Sequence, residues 1–102
     1  MEKELKGKVA IVTGAGRLRG IGRAAAVALA RLGADVVVTG TGRSPDSFPD
    51  DEKKIGWRDI ESVSEQIRNE GQKALPLISN VTSQEDVQKM VDDTMNEFGR
   101  ID

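Results

Sequence analysis

The sequence has no cysteine, no histidine and no tyrosine among its 102 residues, and only one tryptophan and two phenylalanines. Without cysteine there are no disulfides, thiol nucleophiles or thiolate metal sites; without histidine the usual imidazole base and zinc ligand are missing as well. Neither sign of charge dominates. Fifteen basic and 17 acidic side chains leave a net charge of -2, which gives no general attraction for nucleic acid or an anionic membrane. No apolar run approaches the roughly 18 residues that a membrane span needs. Residues 1–8 alternate charges around Leu5, unlike a signal peptide. The expectation is a cytoplasmic protein that binds neither nucleic acid nor membrane, with room for one layered domain and not two.

What is present alternates in kind. Val9, Ala10, Ile11 and Val12 form an unbroken apolar run, as in a strand buried on both faces of a parallel sheet. Ile21, Ala24, Ala25, Ala28, Leu29 and Leu32 then recur at helical spacing, with Gly33 where a helix ends in a left-handed cap. Val36 to Val38 give a second strand, so residues 8–39 read as a βαβ unit. A second helix is expected over 58–70 with Ile60, Val63 and Ile67 on one stripe, and a third strand over 74–78. Thr82 and Glu85 are spaced as a capping box for a last helix carrying Val87, Met90, Val91, Thr94 and Phe98 and ending at Gly99. Ile101 and Asp102 read as the entry to a fourth strand. The fold class expected is α/β, a doubly wound parallel sheet truncated at the start of its fourth strand, with residues 1–102 as part of a single domain.

Residues 40–57 break the pattern. Gly40, Gly42, Pro45, Pro49 and the acidic cluster Asp46, Asp50, Asp51 and Glu52 show little periodicity and read as a long loop insertion. Loops of this length inside a compact domain are often lids or binding loops; a solvated insertion without a role is the other reading. Because it leaves the second strand at its carboxyl end, where open α/β sheets bind ligands, it is expected beside a ligand site.

Between the first strand and the first helix lies Thr-Gly-Ala-Gly-Arg-Leu-Arg-Gly-Ile-Gly, residues 13–22. A pyrophosphate can reach the free amides and positive dipole of a helix N-terminus only if no β-carbons intervene, and glycine removes them. The pattern alone is weak and could serve a tight turn. Its position between a buried strand and a helix makes it a candidate phosphate site. No Gly-Lys-Ser or Gly-Lys-Thr follows, which disfavours a P-loop phosphotransferase.

At these residues the sequence resembles the short-chain dehydrogenase/reductase family, whose loop reads Thr-Gly, three variable residues, then Gly-x-Gly. Thr13-Gly14 and Gly20-Ile21-Gly22 match with two extra residues between them. Either Gly14 keeps the family role and the loop bulges, or Gly16 takes it over. Gly33-Ala34, Asn80-Val81 and the run Phe98-Gly99-Arg100-Ile101-Asp102 extend the resemblance over essentially the whole chain.

The resemblance implies a Rossmann-type fold, of which residues 1–102 are the N-terminal part of a single dinucleotide-binding domain with the 40–57 loop beside the adenosine ribose. It also implies an NAD(P)-dependent alcohol dehydrogenase or carbonyl reductase, of which this chain carries the half that binds adenosine and pyrophosphate. It implies cofactor contacts from Gly14, Gly16, Arg19, Gly20, Ile21, Gly22, Arg43, Asn80 and Val81. Asn80 stands where the family usually has an aspartate that accepts from the adenine amino group; its amide oxygen can accept the same bond, or it can serve as a turn residue. The family's Ser, Tyr and Lys all lie after the fourth strand, so no catalytic residue is expected here and the chain alone is expected to be inactive. A small alcohol or carbonyl substrate and a homo-oligomer are expected of the intact enzyme; a non-catalytic dinucleotide-binding or scaffolding module is the alternative. At the second strand's end, where NAD-selecting relatives carry a carboxylate, the sequence has Gly40, followed by Thr41. Arg19 and Arg43 could meet a 2'-phosphate, which favours NADP over NAD, while Asp46, Asp50 or Asp51 could turn inward and supply a carboxylate instead.

Overall fold

The three apolar runs become the three strands of one parallel sheet. The computed structural model describes residues 3–102, with the elements β1 (Val9–Val12), α1 (Ile21–Arg31), β2 (Asp35–Gly40), a 3-10 turn (Pro45–Ser47), α2 (Asp50–Lys54), α3 (Ile60–Asn69), β3 (Ala74–Ile78) and α4 (Gln84–Phe98) in chain order. The sheet order is β1-β2-β3. Val9 lies across from Asp35 and Val12 from Val38; Val36 lies across from Ala74 and Gly40 from Ile78. Parallel neighbours need a crossover, and α1 and α3 supply them. Val36 and Val38 share a face, since side chains alternate along a strand. That face packs with Ala26 and Ala30 of α1 and with Ile60, Val63 and Ile67 of α3. Among the described residues no helix is long and apolar enough to cross a membrane.

Strand and helix ends follow local signals. Gly33, Gly71 and Gly99 all have positive φ and end α1, α3 and α4. The faces are another matter. On α1 the expected stripe is only partly covered: Ile21 is 89 % exposed and Ala24, Ala25 and Ala28 are exposed, Leu29 and Leu32 are half-buried with Leu29 packed on the core, and Ala26, Val27 and Ala30 are buried. A run of small apolar residues gives no strong stripe, so the position of the sheet decides which side is covered. In β1 only Val9 is buried, because one edge of the strand has no full partner. Asp102 meets that edge: its N–H donates to the Val9 carbonyl at 2.9 Å, and the Val9 N–H donates to its Oδ2 at 2.8 Å. Hydrogen bonds from Arg100 and from the Val9 amide hold the Asp102 carboxyl below the usual carboxylate range.

The cap of α4 also differs from expectation. Ser83, not Thr82, is the N-cap, its Oγ accepting from the Asp86 N–H. Thr82 is engaged one step earlier, donating through both N–H and Oγ1 to Asn80 Oδ1 in a turn that delays the helix. Residues 40–57 are not without local structure, since they hold the 3-10 turn and α2. Both are too short to show a helical period in sequence.

Candidate functional site

The glycine loop leaves the carboxyl end of β1 and runs against that of β2, where the Ala15 N–H donates to the Thr39 carbonyl at 2.9 Å. Gly14 has φ +61°, a conformation that a side chain would strain. A β-carbon on Gly22 would lie 2.8 Å from the Gly14 carbonyl oxygen and 2.9 Å from the Ala15 α-carbon, so the first turn of α1 can close onto the loop only with glycine there. Gly20 is the N-cap of α1. It offers no side-chain cap, and the first turn of α1 carries no acidic residue. By contrast α4 satisfies itself with Ser83, Glu85 and Asp86. The amides opening α1 are thus left for an outside acceptor.

Gly16 has a different neighbour. A β-carbon there would lie 2.5 Å from Cγ and 2.7 Å from Oδ2 of Asp59, so its absence makes room for a carboxylate. Asp59 is the only non-glycine residue of positive φ among the described residues, at φ 59° and ψ -129°. Such a conformation costs on the order of 1–3 kcal/mol and persists only where surrounding contacts enforce it. Those contacts come from Arg43, whose Nε and Nη2 donate to Asp59 Oδ1 at 3.1 and 2.6 Å. Nη2 also reaches Glu52 Oε1 at 3.1 Å, and the guanidinium lies 4.5 Å from the Phe48 ring centroid. Burial works against the Arg43 charge, but hydrogen bonds and charge from Asp59 and Glu52 outweigh it and raise the group above the ordinary arginine range.

Residues from the 40–57 segment clamp the glycine loop. Trp57 Nε1 donates to the Gly16 carbonyl at 2.7 Å, and the Leu18 N–H donates to Glu52 Oε2 at 2.8 Å. Arg23 of α1 closes the other side, its Nε donating to the Leu18 carbonyl at 2.6 Å. Arg19 pairs with Asp51 at the surface, and its hydrogen bond holds the Asp51 carboxyl below the usual carboxylate range. That pair is exposed and screened by solvent, so Arg19→Ala is expected to leave the urea unfolding midpoint essentially unchanged. A marked fall in the midpoint would show that the pair helps to hold the loop.

Two cavities open at this end of the sheet. One of about 250 Å³ is lined by Gly14, Gly16, Arg17, Gly40, Thr41, Arg43 and Asp59. A larger one, about 510 Å³, shares Arg43 and Asp59 and extends past Phe48 and Trp57 to Ile78 of β3. The expected residues are therefore only partly brought together. Gly14, Gly16 and Arg43 line the smaller cavity; Gly20 and Arg19 lie around the loop, and Ile21 points to solvent. Val81 is 55 % exposed beyond β3. Asn80 Oδ1 already accepts two hydrogen bonds from Thr82, at 3.0 and 2.6 Å, which is the turn role. Asp46 and Asp50 stay exposed; the carboxylates that turn inward are Glu52 and Asp59. Sequence reasoning missed Asp59, Trp57 and Arg23, and the single tryptophan was the one available signal.

A family model described as short chain dehydrogenase matches residues 8–102. The chain is 39 % identical over 98 residues to a cyclohexanol dehydrogenase of Rhodococcus sp. (strain TK6), covering 96 % of this chain and 35 % of that protein. A 12alpha-hydroxysteroid dehydrogenase of Clostridium sp. is 39 % identical over 100 residues, which are 94 % of this chain and 34 % of that one. Among solved structures, carveol dehydrogenase from Mycobacterium avium in complex with NAD superimposes with a TM-score of 0.76 at 27 % identity, over 97 % of this chain and 34 % of that one. The chain thus spans about a third of the length of the relatives it matches. A match running from the strand before the glycine loop to the last residue, on a shared βαβ framework, shows that the chain belongs to the short chain dehydrogenase family.

Proposed function

We propose that this chain holds the adenosine and pyrophosphate end of a nicotinamide dinucleotide in an oxidoreductase that acts on an alcohol or its carbonyl product. The observation that carries the reading is the N-terminus of α1, which has no side-chain cap and no acidic residue in its first turn and onto which the glycine loop closes through Gly22. The larger relatives are named as dehydrogenases, and one solved neighbour is titled as an NAD complex, which supports the same reading. When bound, the nicotinamide supplies or accepts the hydride. The residues here orient its far end: Gly14 lets the loop turn, Gly20 closes a turn onto the Arg17 carbonyl at the helix entrance, Ile21 and Gly22 present the amides of α1, and Val81 offers an apolar surface beyond β3.

The expectation that Arg43 favours NADP(H) is weakened, because its guanidinium is taken by Asp59 and Glu52, whereas Arg19 keeps only an exposed surface pair with Asp51. Asn80 is assigned to the turn rather than to adenine. The test is Gly20→Val, measured in the protein as encoded by calorimetric titration with NAD+ and by thermal unfolding. The backbone at Gly20, φ -87° and ψ 151°, suits a β-branched residue. A valine there is expected to weaken binding by at least about tenfold by crowding the phosphate approach, with a smaller fall in Tm because its β-carbon would stand 3.3 Å from Arg17 Cβ and 3.4 Å from the Arg17 carbonyl oxygen. Unchanged affinity would refute the phosphate role of the loop. Binding without hydride transfer to any alcohol or carbonyl would favour a non-catalytic module.

A further inference from the structure

The end of β2 lacks a carboxylate in sequence but not in space. A β-carbon on Gly40 would start 3.3 Å from Asp59 Oδ2, so a side chain arriving 19 residues later stands beside the place from which residue 40 would project. Three further observations show that this position is built. Asp59 is 8 % exposed and held in a backbone conformation that non-glycine residues avoid. Gly16 leaves it the room that any β-carbon would fill. Arg43 takes Oδ1 only, and Oδ2 makes no hydrogen bond among the described residues although it borders the cavity formed by Gly14, Gly16, Gly40 and Thr41.

From this geometry we infer that Asp59 accepts a hydrogen bond from the 2'-hydroxyl of the adenosine ribose and so selects NAD(H) against NADP(H). The inference rests on the dinucleotide reading above. A hydroxyl is the donor that a free carboxylate oxygen takes, and a 2'-phosphate in the same place would bring like charge against it. Arg43 does not reverse the sign. Its guanidinium is taken by two carboxylates, Glu52 and Asp59, whose charges together outweigh its own, although of these two only Asp59 borders the cavity. Arg17 also borders the cavity, from the exposed side, where solvent screens it. The residue at the N-cap of α3 therefore supplies what the strand end does not carry.

The experiment is calorimetric titration of the protein as encoded with NAD+, 2'-deoxy-NAD+ and NADP+. A hydrogen bond to a charged acceptor corresponds to roughly tenfold to hundredfold in affinity, so the wild type is expected to bind NAD+ at least about tenfold more tightly than either analogue. Asp59→Gly suits the positive φ and leaves Arg43 paired with Glu52, and it is expected to bind NAD+ and 2'-deoxy-NAD+ alike and to gain affinity for NADP+. Gly16→Ala keeps the carboxylate on the chain but drives it from its position, and it is expected to move the same ratios in the same direction. A wild type indifferent to the 2'-hydroxyl, or an Asp59→Gly protein that keeps the full discrimination, overturns the inference while leaving the dinucleotide reading intact. Failure of all three ligands to bind overturns both.

Discussion

Replacing Trp57 with alanine is expected to destabilise the protein by about 3–5 kcal/mol, in the range for deleting a buried aromatic ring, and to release the glycine loop. The ring is 8 % exposed and packs in the core cluster with Ala15, Phe48 and Ile60. Its Nε1–H is the donor to the buried Gly16 carbonyl. Two losses therefore coincide: a cavity where the indole stood and a carbonyl left without its partner. Trp57→Phe separates them, because it keeps most of the ring and removes only the donor, for which about 1–3 kcal/mol is expected. Urea unfolding of both variants reads the stability. Trypsin cleavage at Arg17 and Arg19, on the loop that the indole holds, reads the release and is expected to accelerate in both. Unaltered cleavage in Trp57→Ala would mean that Glu52 and Arg23 hold the loop unaided.

The elements were legible where a local signal set them. β3 falls where the apolar run placed it, and Gly33, Gly71 and Gly99 stop their helices because each position takes a left-handed conformation that glycine adopts freely. The covered side of α1 was not legible, since Ala24, Ala25, Ala26, Val27 and Ala28 make every face apolar and the sheet alone distinguishes them. The α4 cap was ambiguous for a similar reason. Thr82 and Glu85 overlap with Ser83 and Asp86 at the same spacing, and the Asn80 turn decides between them. At the site the glycines announced themselves, but the side chains that surround them did not. Leu18 meets Glu52 across 34 residues and Gly16 meets Trp57 across 41, contacts that no spacing rule encodes. The two irregular features of the sequence, a glycine loop two residues too long and an insertion after β2, turn out to be each other's partners.

Arg43 joins that partnership to the cavity beside Gly14 and Gly40, and Arg43→Met is expected to cost about 3–5 kcal/mol, the range for removing one member of a buried ion pair. The side chains of Arg43, Glu52 and Asp59 are 14 %, 3 % and 11 % exposed, so little water is available to compensate. Methionine restores much of the volume but leaves two carboxylates facing each other and one edge of the Phe48 ring without its cation. Lysine is expected to rescue only in part, because a single ammonium cannot reproduce a guanidinium that donates to both acids from a fixed plane. Glu52→Gln alone is expected to destabilise, since it weakens the acceptor shared by Arg43 and the Leu18 amide. In the Arg43→Met background the same change should cost less or even restore stability, because it removes one of two repelling charges. Urea unfolding of the four proteins gives the coupling, expected at roughly 0.5–3 kcal/mol for side chains in direct contact. Additive losses would show that the arginine and the glutamate act independently. The same variants bear on cofactor choice. If Arg43 were instead a phosphate ligand, Arg43→Met would lose NADP+ affinity selectively and unfold as the wild type does; a large stability loss together with no selective loss of NADP+ assigns the guanidinium to holding Asp59 in place.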